Sequence, residues 1–188
     1  TLGTKCIKLW FVKPTITYPY NSKWNVHVED YDYTSLAKTP YFREVFGMDF
    51  KVYALEATDG KINWRDGFTE DEKSMVFDNI YNVAGHFLTT YKNTGKTFII
   101  QNWEGDGHLN AEALTPDAQK VAIQGMIDWA NTRQAAVEKA RKDFGCEGVG
   151  VVHAFEFNYV KVTNKQPPYV IDEVVPHTRC DLYSYSSY

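Results

Sequence analysis

Residues 97–110 read TFIIQNWEGDGHLN. Thr97–Trp103 opens as a run of buried-looking β formers, a strand signal. The stretch then passes directly into Asn102, Trp103, Glu104, Gly105, Asp106, Gly107 and His108. A core strand that ends in so many reactive side chains is expected where strand ends build a site, so what flanks this strand decides the fold.

Upstream, Thr69-Glu70-Asp71-Glu72 has the spacing of a capping box. Val76, Phe77, Ile80, Tyr81, Ala84, Phe87, Leu88 and Tyr91 follow at helical spacing and Gly95 ends the element. Downstream, Thr115-Pro116 pairs an N-cap with a first-position proline and opens the longest expected helix, which Gly145 stops. Thr39-Pro40 and Gly47 bracket a shorter one. Further strands are expected at Lys5–Val12, Lys51–Ala57, Val149–Tyr159 and Asp181–Tyr185, with a loop over "KPTITYPYNSKWN". Strands alternating with helices predict an α/β fold with a parallel sheet and right-handed crossovers. Two architectures fit: an open doubly wound sheet, or a (β/α)8 barrel, complete or partial. A barrel needs ~250 residues and eight strands. Five strands are expected here. The chain starts on what reads as the tail of a helix and stops at a strand, so both ends read as cut. Residues 1–188 are therefore expected to form a single, incomplete TIM-barrel domain.

The 188 residues carry a net charge of −4, which gives no electrostatic reason to expect nucleic acid or an anionic membrane as partner. No apolar run approaches the ~20 residues that span a bilayer. Cys6, Cys146 and Cys180 are odd in number and show no CxxC spacing, so buried free thiols are expected rather than a disulfide framework or structural zinc. The compartment stays unassigned. Aromatic residues make up 15% of the chain, which fits a well-packed core or a cleft lined with flat faces.

"NTGKTF" lies between a helix and a strand, the reverse of a phosphate loop, and "EGDGH" lacks the dinucleotide spacing. HExxH and GxSxG are absent, and "EDYDYT" lacks the glycine and distal Glu of a calcium loop. No cofactor or metal is expected. What remains is a set of polar and aromatic residues at strand ends, where ligands bind in both architectures. These are Glu56 and Asp59; Asn102, Trp103, Glu104 and Asp106; His153, Glu156 and Asn158; and Tyr183, Tyr185 and Tyr188. Carboxylates, amides and aromatic faces together suit a polyhydroxylated substrate. Glu104, at the end of an apolar strand beside Trp103, has the partial desolvation a general acid needs. The bland reading makes it a rim cap or ion-pair partner with equal weight. Gly105 and Gly107 are expected to turn the chain sharply and leave room for a ligand. Alternation puts Glu156 and Asn158 on one face, inward, and His153 on the other. Trp129 is expected in the core, and Lys8 either reaches a buried carboxylate or snorkels to the rim.

"LGTKCIKLWF", "TFIIQNWEGD", "MIDWANTRQAAVEKAR", "VGVVHAFEFN" and "CDLYSYSSY" together resemble successive elements of clan-A-type (β/α)8 retaining glycoside hydrolases. More closely, "PHTRCDLYSYS" resembles a group of uncharacterised bacterial glycosidase-like barrel proteins. The resemblance implies that the chain supplies strands two to six, that Glu104 is the acid/base, and that bond cleavage retains configuration. It also implies a nucleophile on strand seven, beyond Tyr188. The family's usual Asn before the acid/base is Trp103 here, with Asn102 one place earlier; alternation would aim Asn102 and Glu104 to the same side.

Three functional expectations follow. The first is a fragment of a glycoside hydrolase with Glu104 as acid/base and Trp10, Asn102, Trp103, Asp106, Glu156, Asn158, Tyr183 and Tyr185 around a carbohydrate substrate. The second is an enzyme that uses Glu104 and Glu156 as its own carboxylate pair. The third is a non-catalytic carbohydrate-binding barrel with Trp10, Trp103, Tyr183 and Tyr185 as stacking faces. An incomplete barrel leaves open sheet edges, through which the fragment is expected to self-associate.

Overall fold

The structure, a computed structural model, describes residues 3–12, 32–58, 62–161 and 167–187. Asp59, Tyr188 and the expected loop over residues 13–25 lie outside the described residues.

Strands β1 (Cys6–Trp10), β2 (Val52–Glu56), β3 (Lys96–Gln101), β4 (Val149–Phe157) and β5 (Leu182–Tyr185) form one sheet. All neighbours are parallel and the spatial order is the chain order, β1-β2-β3-β4-β5. Parallel neighbours require a crossover, and helices supply it. Helices α1 (Tyr33–Ala37) and α2 (Pro40–Gly47) lie between β1 and β2, and α3 (Glu70–Thr90) between β2 and β3. Helices α4 (Gly105–Leu109) and α5 (Pro116–Phe144) connect β3 to β4, and α6 (Val170–Glu173) lies between β4 and β5.

The caps are where the local sequence puts them. The Thr39, Thr69 and Thr115 hydroxyls accept from the N–H groups of Phe42, Glu72 and Ala118, and the capping box at Thr69 is closed in both directions. A threonine cap stabilises a helix by about 1 kcal/mol. Arg141 and Lys142 in the last turn of α5 and Asp117 in its first turn complement the helix dipole.

Strand alternation divides the sheet into two unlike faces. Leu9, Tyr53, Leu55, Phe98, Ile100, Val151, His153 and Phe155 are buried on the helix side. Phe98 stacks on Phe87 of α3 at 4.2 Å and on Tyr53 at 5.2 Å, and it meets Phe46 of α2 edge-on at 5.4 Å. Each such pair adds about 0.5–1.5 kcal/mol beyond area burial. From α5, the fully buried Arg133 lies 4.5 Å over the Trp129 ring and donates from Nε to His153 Nε2 at 3.4 Å. Asp181, just before β5, accepts from Arg141 at 2.9 and 3.0 Å, from Gln134 at 3.0 Å and from the His153 N–H at 3.0 Å. These bonds tie the entry of β5 to α5. Desolvation works against the Asp181 charge, but the Arg141 guanidinium and the His153 N–H outweigh it and hold its pKa down.

The other face carries Cys6, Lys8 and Trp10, all exposed, and Ala54, Thr97, Ile99, Val152 and Ser184, all half-buried. Among the described residues, helices α2, α3 and α5 make their ring and hydrogen-bond contacts with the opposite face.

The expected strands and capped helices appear, while some local readings change. Helix α1 was not foreseen; it is one five-residue turn capped by Asp32. Strand β3 ends at Gln101, not Trp103. Gly105 and Gly107 lie within helix α4. The cysteines are free as expected, but Cys6 and Cys146 are exposed and Cys180 is half-buried. Cys6 stands on the open sheet face and Cys146 follows α5, so neither has core to enter.

Candidate functional site

The register places Trp10, Glu56, Gln101 and Ala154 side by side at the carboxyl ends of β1 to β4. One step below, Lys8 is paired with Ala54, whose small side chain leaves space for the lysine stem. The Lys8 ammonium rises into the row above and sits 2.8 Å from Glu56 Oε1 and 2.9 Å from Glu156 Oε2. Of the two expectations for Lys8, the buried carboxylate is the one realised.

Glu156 is the hub. Its Oε2 also accepts from Gln101 Nε2 at 3.0 Å, and its Oε1 accepts the Glu104 backbone N–H at 3.0 Å. Its backbone is clasped by the Asn102 amide, which donates to the Glu156 carbonyl at 2.8 Å and accepts the Glu156 N–H at 2.8 Å. The Asn102 side chain thus continues the β3–β4 ladder after the β3 backbone has left it. Asp106, buried, accepts from the N–H groups of Asn158, Tyr159 and Val170 at 2.8 to 3.0 Å, and its own N–H donates to Asn158 Oδ1 at 3.2 Å. It fixes the chain that follows β4.

Freed from the ladder, the chain turns at Glu104, whose φ of 36° and ψ of 73° are left-handed. This changes the alternation argument: Asn102 and Glu104 are not two residues of one strand face. Helix α4 then starts at once, and Gly105 is required for a reason other than a turn. A Cβ there would meet the Glu156 carbonyl oxygen at 2.6 Å. Glycine lets α4 press against β4 and brings Glu104 within reach of the Glu156 carboxylate. Glu104 itself is half-buried.

Trp103 and Trp10, 37% and 40% exposed, face each other with ring centroids 5.4 Å apart. With Glu56, Thr58 and His108 they bound a slot of about 130 Å³. A second, larger cavity of about 330 Å³ shares Thr58 and His108 with it and reaches Asn63, Trp64, Arg65 and Asn102. Its wall is the 3₁₀ turn Trp64–Asp66, seated on α5 at Gly125, where a Cβ would lie 1.9 Å from the Trp64 carbonyl oxygen.

The charges are coupled. Burial raises the pKa of Glu56, and the Lys8 ammonium opposes this without cancelling it; Glu156 and Glu104 add to the rise. For Lys8, desolvation lowers the pKa, but hydrogen bonds and attraction to the two carboxylates outweigh it and the net shift is upward. His108 is held below the usual histidine range by burial, with Glu104 pulling it up and Arg65 pushing it down.

The structure brings Trp10, Asn102, Trp103, Glu104 and Glu156 together at one end of the sheet. Asp106 and Asn158 adjoin them, bonded to each other. Tyr183 and Tyr185 do not join this group. They are paired with Phe155 and Phe157 on the helix face, where Tyr185 packs on Phe157 at 5.6 Å and the Tyr183 hydroxyl donates to Thr178 O at 2.8 Å. Strand alternation turns them away from Glu156. His153 is likewise on the helix face, and Trp129 is in the core. Sequence reasoning missed His108 and Arg65. His108 had a signal in the GDGH run, whereas Arg65 sits in a polar loop with no period.

Among the described residues, no cluster of three or more His, Cys, Asp or Glu side chains could hold a metal ion, and no helix is long and apolar enough to cross a membrane. No family model, curated protein or solved structure matches the chain. The class that stands is an α/β domain with a parallel sheet flanked by helices.

Proposed function

We propose that this sheet is an arc of a (β/α)8 barrel, strands two to six, and that Glu104 is the general acid/base of a glycoside hydrolase-like site. The unreversed strand order and the placement of the helices on one face support the arc, because a doubly wound sheet reverses its order and carries helices on both faces. The open face is then the barrel lining and its upper rim the mouth.

The observation that carries the functional reading is the setting of Glu104. It stands at the end of the central strand on a left-handed backbone, held there through its N–H by Glu156 and flanked by an exposed pair of tryptophans. A left-handed non-glycine residue at a strand end is common at sites of chemistry. Flat indole faces beside a carboxylic acid suit stacking on a sugar ring while a proton passes to the glycosidic oxygen. Glu56, whose pKa burial raises against the pull of Lys8, adjoins the same slot. Both Glu156 oxygens are already engaged, by Lys8, Gln101 and the Glu104 N–H, which argues for Glu156 as a positioning group and against a Glu104–Glu156 catalytic pair. The nucleophile of a retaining mechanism belongs, in this reading, outside these 188 residues. Chain β1 and β5 form the edges of the described sheet, and we propose that the isolated chain self-associates through them.

The test uses the natural polypeptide that contains this chain and two aryl glycosides of one sugar, with a poor and a good leaving group. Glu104→Gln should lose about 10²–10⁴-fold on the poor leaving group, which needs a proton, and far less on the good one. Equal loss on both, or none, sinks the assignment. Sugar binding that survives Glu104→Gln, with no turnover by the unsubstituted protein, would favour the non-catalytic carbohydrate-binding reading that the Trp10–Trp103 pair also supports.

A further inference from the structure

The larger cavity has a feature that a neutral sugar would leave unused. Among the described residues, Arg65 is the only permanently charged one in its lining, and Arg65 Nε is buried with no hydrogen-bond partner there. A guanidinium N–H removed from water without an acceptor is destabilising, so buried polar groups are almost always paired. The arginine is not loosely placed. Its turn is locked on α5 by the contact of the Trp64 carbonyl with Gly125, and Trp64 packs on Trp129 with centroids 6.0 Å apart. The other polar groups in the lining are donors or amides: Thr58, Asn63, Asn102 and His108. Among the described residues no carboxylate belongs to its lining; Glu56 lines the tryptophan slot, and Glu104 acts on His108 from close by. His108 belongs to both spaces, so a chain of sugar rings stacked on Trp10 and Trp103 would continue past His108 toward Arg65.

We propose that this cavity is a subsite for an anionic sugar unit, with Arg65 as the group that pairs with its carboxylate or sulfate and His108 as the divider between it and the stacking slot. The planar fork of arginine matches an oxyanion with two parallel N–H bonds, and the tryptophan and methionine walls keep that pair partly dry, which strengthens it. The substrate class is therefore an acidic glycan rather than a neutral one. This rests on the carbohydrate reading of the cleft, and the experiment separates the two.

The full chain is titrated with D-glucuronate, glucose 6-sulfate and D-glucose, by calorimetry at low and moderate salt. Wild type should bind at least one anion ten-fold or more tightly than glucose, and only anion binding should weaken with salt. A preference for glucuronate assigns a uronic acid, and one for the sulfate assigns a sulfated sugar. Arg65→Gln should erase the preference and leave glucose binding unchanged; Arg65→Lys, which keeps the charge without the fork, should retain part of it. Because Arg65 Nε has no partner among the described residues, Arg65→Gln should melt at or above wild type. Equal binding of glucose and both anions, persistence of the preference in Arg65→Gln, or a clear drop in melting temperature overturns the subsite. Glucose binding without anion preference sinks the subsite alone. Anion preference without Glu104-dependent turnover leaves the subsite and sinks the hydrolase.

Discussion

Replacing Lys8 with Met asks whether one cation holds the strand ends together. The ammonium lies 2.8 Å from Glu56 and 2.9 Å from Glu156. The carboxylates are 6% and 2% exposed and the lysine side chain 44%. Removing one partner of a fully buried pair costs about 3–5 kcal/mol, and an exposed pair contributes only about 0.2–1 kcal/mol. Buried acceptors with a half-exposed donor place this cluster between those limits, so Lys8→Met should lose about 2 kcal/mol at pH 7. Met preserves the aliphatic stem, so little of the loss is packing. What remains is two buried carboxylates without a cation. Burial already raises the Glu56 pKa against the pull of Lys8; without Lys8 it rises further. A carboxyl group whose folded pKa lies above its unfolded value binds its proton more readily when folded. The variant therefore regains stability as pH falls through the raised pKa toward the ordinary 4.5. Urea titrations at pH 7.5, 6 and 5 should show the gap to wild type shrinking by more than half, and Lys8→Met with Glu56→Gln should close most of it at pH 7. A loss below about 0.5 kcal/mol, the level of an exposed pair, or a gap that does not change with pH refutes the reasoning.

Two further outcomes are expected. Glu104 has a left-handed backbone, which costs a side chain about 1–2 kcal/mol, whereas glycine gives back about 0.5–1 kcal/mol in unfolded-chain entropy. Glu104→Gly should thus be more stable than Glu104→Ala by about 0.5 kcal/mol; urea midpoints with Gly at or below Ala would count against the strain. His153 is held well below the ordinary 6.5 by burial and then by Arg133. The folded chain resists a proton that the unfolded chain accepts, so this contribution is intact above pH 6.5 and falls below it by up to about 1.4 kcal/mol per pH unit. His86 and His108, both lowered by burial, act in the same direction. His153→Gln should flatten the slope between pH 6.5 and 5 by about one proton, and an unchanged slope in urea titrations refutes it.

What was legible in the sequence was local. Thr69 and Glu72 state their helix start within four residues, and Thr115-Pro116 does so within two. The alternation of elements specified a parallel α/β sheet. Side-chain alternation along β4 placed Glu156 and His153 on opposite faces. The misses are non-local. That β3 stops at Gln101 depends on Asn102 finding the Glu156 backbone 54 positions away. The glycine at 105 answers to a carbonyl on another strand, so its neighbourhood gives no hint of why it is needed. Tyr183 and Tyr185 end a strand, but their face follows from pairing with Phe155 and Phe157, which the strand's own four residues do not encode. Arg65 gains its interest only from being enclosed by α5 and the chain around His108.

The Asn102 clasp on the backbone of Glu156 also acts as a proofreader. It grips both the N–H and the carbonyl of a single residue on β4. A slip of β4 by one position would offer Phe155 or Phe157 instead and swing the Glu156 side chain to the far side of the sheet. The Glu104 N–H would then lose its acceptor, and the Lys8 ammonium one of its two counterions. Correct strand alignment and assembly of the carboxyl-end cluster are thus the same event, and a chain that has paired wrongly cannot hold Glu104 in this left-handed posture.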